Sequence, residues 1–317
     1  MDNLTHSLVG AVLGQMGLKK KTGLAMPTLI IAANLPDIDA TCAVYGIESL
    51  SMRRGITHGP IALLVLPILL WGLMLAFDHW QSQRGKRPAE RLPVHKGWLL
   101  ALAYVGCLSH PALDWLNNYG IRLLEPFSHR WFYGDSIFII DLWIWIALAV
   151  SLWLSLRGER RGAANWRRPA WIGFTAVCAY IFVNGLITGA AERMASRALA
   201  ASGQKDALVV ASPPPLAFWK REIFWRTPDR YGTASFVPGV GGHVDLTGAP
   251  TGMGDPRIAT WVKADPAARA FLFWSRMPVA QRQGDTILFR DQRFMHPLAQ
   301  DRFQVRFTAP DIASHPE

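Results

Sequence analysis

Long stretches without a single charge constrain this chain more than any other feature. Residues 60–77 (PIALLVLPILLWGLMLAF) hold 18 such positions, residues 169–191 hold 23, and residues 142–156 (LWIWIALAVSLWLSL) hold 15 directly after Asp141. A helix rises about 1.5 Å per residue, so about 20 apolar residues cross the hydrocarbon layer of a bilayer. The first two stretches meet that length, and the third meets it when extended back to Phe138. A fourth candidate, 97–113 (GWLLALAYVGCLSHPAL), carries His110. Two shorter runs, 7–18 and 22–36, read as a tilted or partly inserted helical hairpin. Any one run would pass as the buried helix of a soluble protein, but four long ones in 317 residues point to a membrane protein. Composition agrees: apolar residues make up 50% and charged residues only 18%, against roughly 25% in soluble proteins.

The connections between these runs alternate in charge. Lys19, Lys20 and Lys21 separate the two short runs. Arg84, Lys86, Arg87, Arg91 and Lys96 follow the first long one, and Arg157, Arg160, Arg161, Arg167 and Arg168 follow the third, 13 basic residues in all. The intervening loops, 37–58 and 117–136, contain Arg53, Arg54, Arg122 and Arg130. The positive-inside rule puts the 13-charge side in the cytoplasm, with the N-terminus, the sparse loops and everything after 191 outside. Met1–Leu18 is not a signal peptide, because its lysines follow the apolar stretch. The net charge of +10 is therefore mainly an orientation signal, and nucleic acid is not an expected partner.

Beyond residue 192 the pattern changes. An Ala/Ser-rich linker, 193–204, leads to Pro213-Pro214-Pro215 and to strand-like runs at 221–226 (REIFWR), 286–290 (TILFR) and 303–308 (FQVRFT), with a short helix near 267–276. The GVGG stretch at 239–242 lacks the Lys-Ser/Thr of a phosphate loop and reads as a plain loop. The expected architecture is an all-α multi-pass membrane domain over 1–192 (segments near 4–18, 22–36, 60–77, 97–116, 137–156 and 169–191), followed by a small extracytoplasmic α+β, mainly β, domain over 205–317. Cys42, Cys107 and Cys178 are too scattered for a disulfide framework or a thiolate zinc site.

Ionisable groups at membrane segments are costly and are functional candidates for that reason. Here they are His6, Asp37 and Asp39 in NLPDID, His58 in RRGITHGP, His110 and Asp114 in SHPALD, and Glu125, Asp135 and Asp141 in the next loop. The orientation derived from Lys and Arg alone gathers all of them on the outer face. Imidazole with carboxylate, and no thiolate, suits zinc or another first-row divalent ion. His110 and Asp114 are four apart on a helix, so both emerge from one side. Taken singly, each has a plain structural reading: a helix cap, a turn or a surface histidine.

The ordered series LTHSLVGAVLG (4–14), NLPDID (34–39), RRGITHG (53–59), SHPALDWLNNYGIRLLEPFSHR (109–130) and DSIFIID (135–141) resembles the YdjM-type inner-membrane metal-dependent hydrolases, a group distantly similar to the all-α zinc phospholipase C and nuclease superfamily. The resemblance covers roughly the first 160 residues. It implies that His6, Asp37, His58, His110 and Asp114 bind metal, that Asp39 lies nearby or is shared, and that Glu125, Asp135 and Asp141 belong to the site or its surroundings. One departure is that the soluble superfamily has a glutamate where this chain has Asp114.

The expectation is a hydrolase using one or two divalent ions, zinc by donor type, to activate water against an ester or phosphodiester at the outer surface of the cytoplasmic membrane. Asp39 or Glu125 would accept the proton, and Arg54, with Arg53, Arg122 and Arg130, would steady a phosphate or carboxylate or else contact lipid headgroups. Membrane lipid is the expected partner and a lipid-like molecule the expected substrate class, with no protein partner indicated. The alternative is a non-catalytic membrane protein with a structural metal and a partner-binding C-terminal domain. A transporter fits less well, since the chain shows no inverted repeat.

Overall fold

The structure is a computed structural model and describes residues 1–284, 286–295 and 303–308. Residues 309–317, the end of the expected C-terminal domain, lie outside the described residues. The chain divides into two compact units.

The first unit (Met1–Asp39, Arg54–Leu186 and Pro214–Phe218) is helical. Helix α1 (Asn3–Gln15) is N-capped by Asp2, whose carboxylate accepts from the Leu4 and Thr5 amides. A tight turn at Leu18–Lys20 leads to α2 (Ala25–Asn34). Gly17 makes that reversal with φ of 118°, a conformation in which a Cβ would be strained. Tight 3₁₀ turns over Leu35–Glu48 and the short α3 (Ser49–Met52) follow, the latter in the second unit. Then come a single turn Ile56–His58, α4 (Pro60–Gln83, with Pro60 in its first turn), α5 (Lys96–Trp115), α6 (Leu142–Arg160) and α7 (Arg168–Ala201).

Helix α2 packs between α1 and α5 because glycines open the space. A Cβ on Gly10 would lie 2.8 Å from the Leu29 carbonyl oxygen, and one on Gly106 would lie 2.7 Å from the Ala32 Cβ. Helices α1 and α6 run side by side in the same direction. Trp145 Nε1 donates to Thr5 Oγ1 at 2.9 Å near one end, and Ser155 Oγ donates to Gln15 Oε1 at 3.2 Å near the other. The cores between them are apolar: Val9, Val12, Ile144, Leu148 and Val177 in one cluster, Leu70, Met74, Leu99, Ala103 and Cys107 in another.

Among the described residues, three helices are long and apolar enough to cross a membrane: Pro60–Gln83, Leu142–Arg160 and Arg168–Ala201. Their outer faces expose large apolar side chains, such as Leu73 at 68% and Phe182 at 67%, which water would not favour. The fourth expected segment forms α5 as predicted but is not among these three. The reason lies in its surroundings: Leu99, Leu102, Gly106, His110, Leu113 and Asp114 are buried against protein, so this helix does not need a fully apolar surface.

The second unit (Ala40–Arg53, Ile187–Pro213 and Trp219–Glu317) is rich in β-structure. Strands β1 (Leu208–Ser212), β2 (Arg221–Arg226), β3 (Arg230–Val237) and β4 (Gly241–Val244) form an antiparallel meander, and β5 (Ala249–Pro250) pairs with β3. Helices α8 (Arg257–Ala264) and α9 (Pro266–Trp274) precede a three-stranded antiparallel sheet of β6 (Pro278–Gln283), β7 (Thr286–Asp291) and β8 (Gln304–Thr308). Alternation sets the buried face of β2, where Arg221, Ile223 and Trp225 point inward. Ile223, Ala211 and Ala234 pack on Ala191 and Ala195 of α7.

The strand-like runs and the helix near 267–276 appear as β2, β7, β8 and α9. Of the GVGG stretch read as a plain loop, Gly239 and Val240 lie in the turn after β3, while Gly241 and Gly242 open β4 and pair with Val237 and Phe236. The expected linker, by contrast, is helical as far as Ala201, since ALAA continues a helix readily; the helix stops before Gly203, whose φ is 92°.

Candidate metal centre

Four side chains from four separated stretches meet at one point. Asp37 comes from the turns after α2, His58 from the turn before α4, and His110 and Asp114 from the last turns of α5; all four are buried, with one potential ligand atom each inside a 4.8 Å group. His58 Nε2 lies 3.1 Å from His110 Nε2 and 3.5 Å from Asp114 Oδ2. His110 Nε2 lies 3.4 Å from Asp114 Oδ2 and 3.6 Å from Asp37 Oδ1, and the His58–Asp37 separation is 3.9 Å. Ligands about 2.0–2.1 Å from a tetrahedral ion are about 3.3 Å apart, so these separations match the edges of such a polyhedron.

The protein sets the protonation of both rings from behind. The Ala33 carbonyl receives the Nδ1 proton of His110 at 2.7 Å, leaving Nε2 as a lone pair. At His58, Thr57 Oγ1 gives its only proton to Asp39 Oδ2 at 2.9 Å, so at 2.9 Å it accepts from His58 Nδ1. Asp39 Oδ2 also lies 3.4 Å from that nitrogen. The two Nε2 atoms thus face each other as acceptors across 3.1 Å beside two carboxylates, an arrangement that a cation would satisfy. Burial, the largest influence, holds His58 down to about 4 and therefore neutral at pH 7. Burial works against ionisation of Asp37 and Asp39. The polar groups packed against them, His110 at the first and His58, Thr57 Oγ1 and the Arg54 amide at the second, overcome it and hold both below the usual carboxylate range. Neutral imidazole and ionised carboxylate are the forms that bind metal.

Of the other expected residues, His6 joins the group. Its ring stacks on His110 with centroids 3.8 Å apart, its Nε2 lies 3.4 Å from Asp114 Oδ1, and among the described residues neither nitrogen has a hydrogen-bond partner. Asp39 stands behind His58 and accepts the Arg54 amide at 2.7 Å. Arg54, expected to face a substrate anion, is buried instead: its Nε lies 3.0 Å from Asp114 Oδ2, and its Nη1 donates to Asn117 Oδ1 and the Gly120 carbonyl. The Met1 ammonium borders the other Asp114 oxygen.

Glu125 accepts from Arg122 at 3.3 Å and pairs with His129 at 2.9 Å, and its carbonyl presses on Gly59, next to His58. Asp135 is buried at a left-handed backbone position (φ 49°). Asp141 caps α6 through the Trp143 and Ile144 amides and receives the Tyr180 hydroxyl. Sequence reasoning missed Thr57 and His129. Thr57 adjoins a candidate ligand, and His129 stands four residues after Glu125, which were the available signals.

Fold and site together define a membrane-associated helical protein with a buried histidine–aspartate cluster able to hold a metal ion. More particularly, the chain belongs to the family of YdjM inner membrane proteins, whose family model matches residues 1–191. No curated protein and no solved structure matches it.

Proposed function

We propose that this chain is a multi-pass protein of the cytoplasmic membrane that hydrolyses an ester or phosphodiester, lipid-like in class, at the outer face of the bilayer. Asp37, His58, His110 and Asp114 would hold one divalent ion, with His6 completing its coordination or serving a second. The observation that carries this reading is the facing pair of Nε2 acceptors among carboxylates at tetrahedral separations. Zinc fits the nitrogen and oxygen donor set best. When bound, such an ion supplies a Lewis acid that polarises a carbonyl or phosphoryl oxygen and lowers the pKa of water.

The chain's own residues do the rest. Asp39 with Thr57, and the Ala33 carbonyl, hold the two imidazoles in their ligating tautomers. Arg54 orients Asp114 and contributes fixed positive charge beside the reacting group. Glu125, steadied by Arg122 and His129, is the carboxylate assigned to accept a proton. In the membrane, α5 crosses beside α4, with α2 and α1 packed against its polar, site-bearing face. The 13 basic residues of alternate connections lie in the cytoplasm, and the centre and the C-terminal unit lie outside.

Metal analysis of protein purified without chelators tests the core of this reading. At least one mole of divalent metal per chain is expected, with most of it lost in the His110→Ala/Asp114→Ala double variant; metal-free wild type would overturn it. The complete burial of His58, His110 and Asp114 favours a second reading, a closed structural site in a non-catalytic protein. Cobalt substitution separates the two: an open position that takes up azide or phosphate supports the hydrolase, and a spectrum indifferent to both supports the structural site.

A further inference from the structure

The end of the helical unit away from the centre gathers basic residues that are distant in sequence. The α1–α2 turn brings Lys19, Lys20 and Lys21; the α6–α7 connection brings five arginines between 157 and 168; the only acid in either stretch is Glu159. Contacts hold the two stretches together. Lys19 pairs with Glu159 and lies 4.9 Å above the Trp166 ring, and Lys20 reaches Glu159 at 3.7 Å. Arg167 stacks on Trp166 at 5.1 Å and covers Gly17, where a Cβ would sit 3.2 Å from its Nη1. Trp171 Nε1 donates to the Met16 carbonyl at 3.1 Å. One carboxylate answers eight cations here, and Lys20, Arg160, Arg161 and Arg168 remain exposed.

Tryptophans at this same level, Trp98, Trp153 and Trp171, expose 40%, 55% and 53% of their surface, as rings do at a headgroup layer. Lys21 and Arg157 lie over Trp98 and Trp153 at 4.9 and 5.3 Å. We propose that the turn between α1 and α2 and the connection between α6 and α7 form a binding site for the phosphate group of an anionic phospholipid. Exposed ammonium and guanidinium groups take the phosphate oxygens, Trp rings flank the glycerol, and the apolar outer faces of α6 and α7 continue along the acyl chains.

The inference rests on the membrane reading and not on the metal, and the two readings fail separately. If the chain leaves membranes in an alkaline carbonate wash without detergent, the membrane reading is lost. Detergent-solubilised full-length protein, titrated with short-chain phosphatidylglycerol and phosphatidylcholine and read by native mass spectrometry, tests the site itself. The expected result is preference for phosphatidylglycerol, reduced by at least about tenfold in Lys20→Gln/Arg161→Gln/Arg168→Gln. A charge-matched control, Lys205→Gln/Lys263→Gln/Arg282→Gln, should keep the preference and should melt at the same temperature as the site variant. Equal uptake of the two lipids, or equal loss in both variants, would overturn the site; displacement by millimolar inorganic phosphate would show a site for free phosphate instead of lipid.

Discussion

Asp39 and Thr57 decide which nitrogen of His58 faces His110, and that choice converts two ordinary histidines into a pair of opposed acceptors. Removing this support while leaving every ligand in place should therefore weaken metal binding. Thr57→Val and Asp39→Asn are each expected to lower metal affinity about 10- to 100-fold, measured by competition with a chromophoric chelator. The pH dependence follows from the same burial. His58 titrates near 4 when folded and near 6.5 when unfolded, so between those values the unfolded chain binds more protons and stability rises with pH. The contribution is complete above about 6.5 and is lost as pH falls toward 4; the depressed carboxyls of Asp37 and Asp39 remove more stability below their unfolded value. The melting temperature of the metal-free protein should fall steadily from pH 7 to pH 4. A flat profile would contradict neutral burial of His58. At this scale the candidate ligands could be read from residue type and spacing, whereas the commitment of Arg54 to Asp114 could not, because nothing in RRGITHG shows where its guanidinium ends.

At the scale of elements, the site depends on close approach. Gly10 and Gly106 let α1 and α5 close on α2, whose Ala33 carbonyl then reaches His110. Gly59 admits the Glu125 carbonyl to within 1.9 Å of where a Cβ would stand, against backbone that cannot yield easily. Gly106→Ala and Gly59→Ala are each expected to cost about 1–3 kcal/mol, seen as a lowered melting temperature in detergent, and Gly59→Ala should also reduce metal content. Gly72 has open space around it, so Gly72→Ala should leave both unchanged or raise stability slightly. The long helices were legible from uncharged length alone. The short pair α1–α2 was legible as a hairpin, but its intimate packing on α5 was not, since a glycine in an apolar run reads equally well as a flexible position. The continuation of α7 to Ala201 was hidden for a related reason: Ala and Ser serve a helix or a linker according to what packs on them, and Ala191 and Ala195 face a sheet.

For the whole molecule, the prediction concerns topology. A reporter active only in the cytoplasm should work when fused near Arg87, and one active only after export should work when fused after Glu317; the reverse pattern would refute the orientation. Basic connections and the histidine–aspartate set were separable along the chain because lysine and arginine positions are constrained by translocation, independently of the metal chemistry. Hydropathy and charge are local properties, so the apolar length of the long helices, and the separation of the basic connections from the polar cluster along the chain, follow from the amino-acid order. The α+β character of the C-terminal part followed similarly from alternation in REIFWR and TILFR. Which of the gathered groups touch was decided only by packing. Asp37, His58, His110 and Asp114 converge because glycines let three helices approach, while Asp141, read in the sequence as part of the site or its surroundings, is consumed by the first turn of α6. Convergence of this kind depends on helix rotation and on distances of a few tenths of an ångström, and these are set by contacts between segments far apart in the chain.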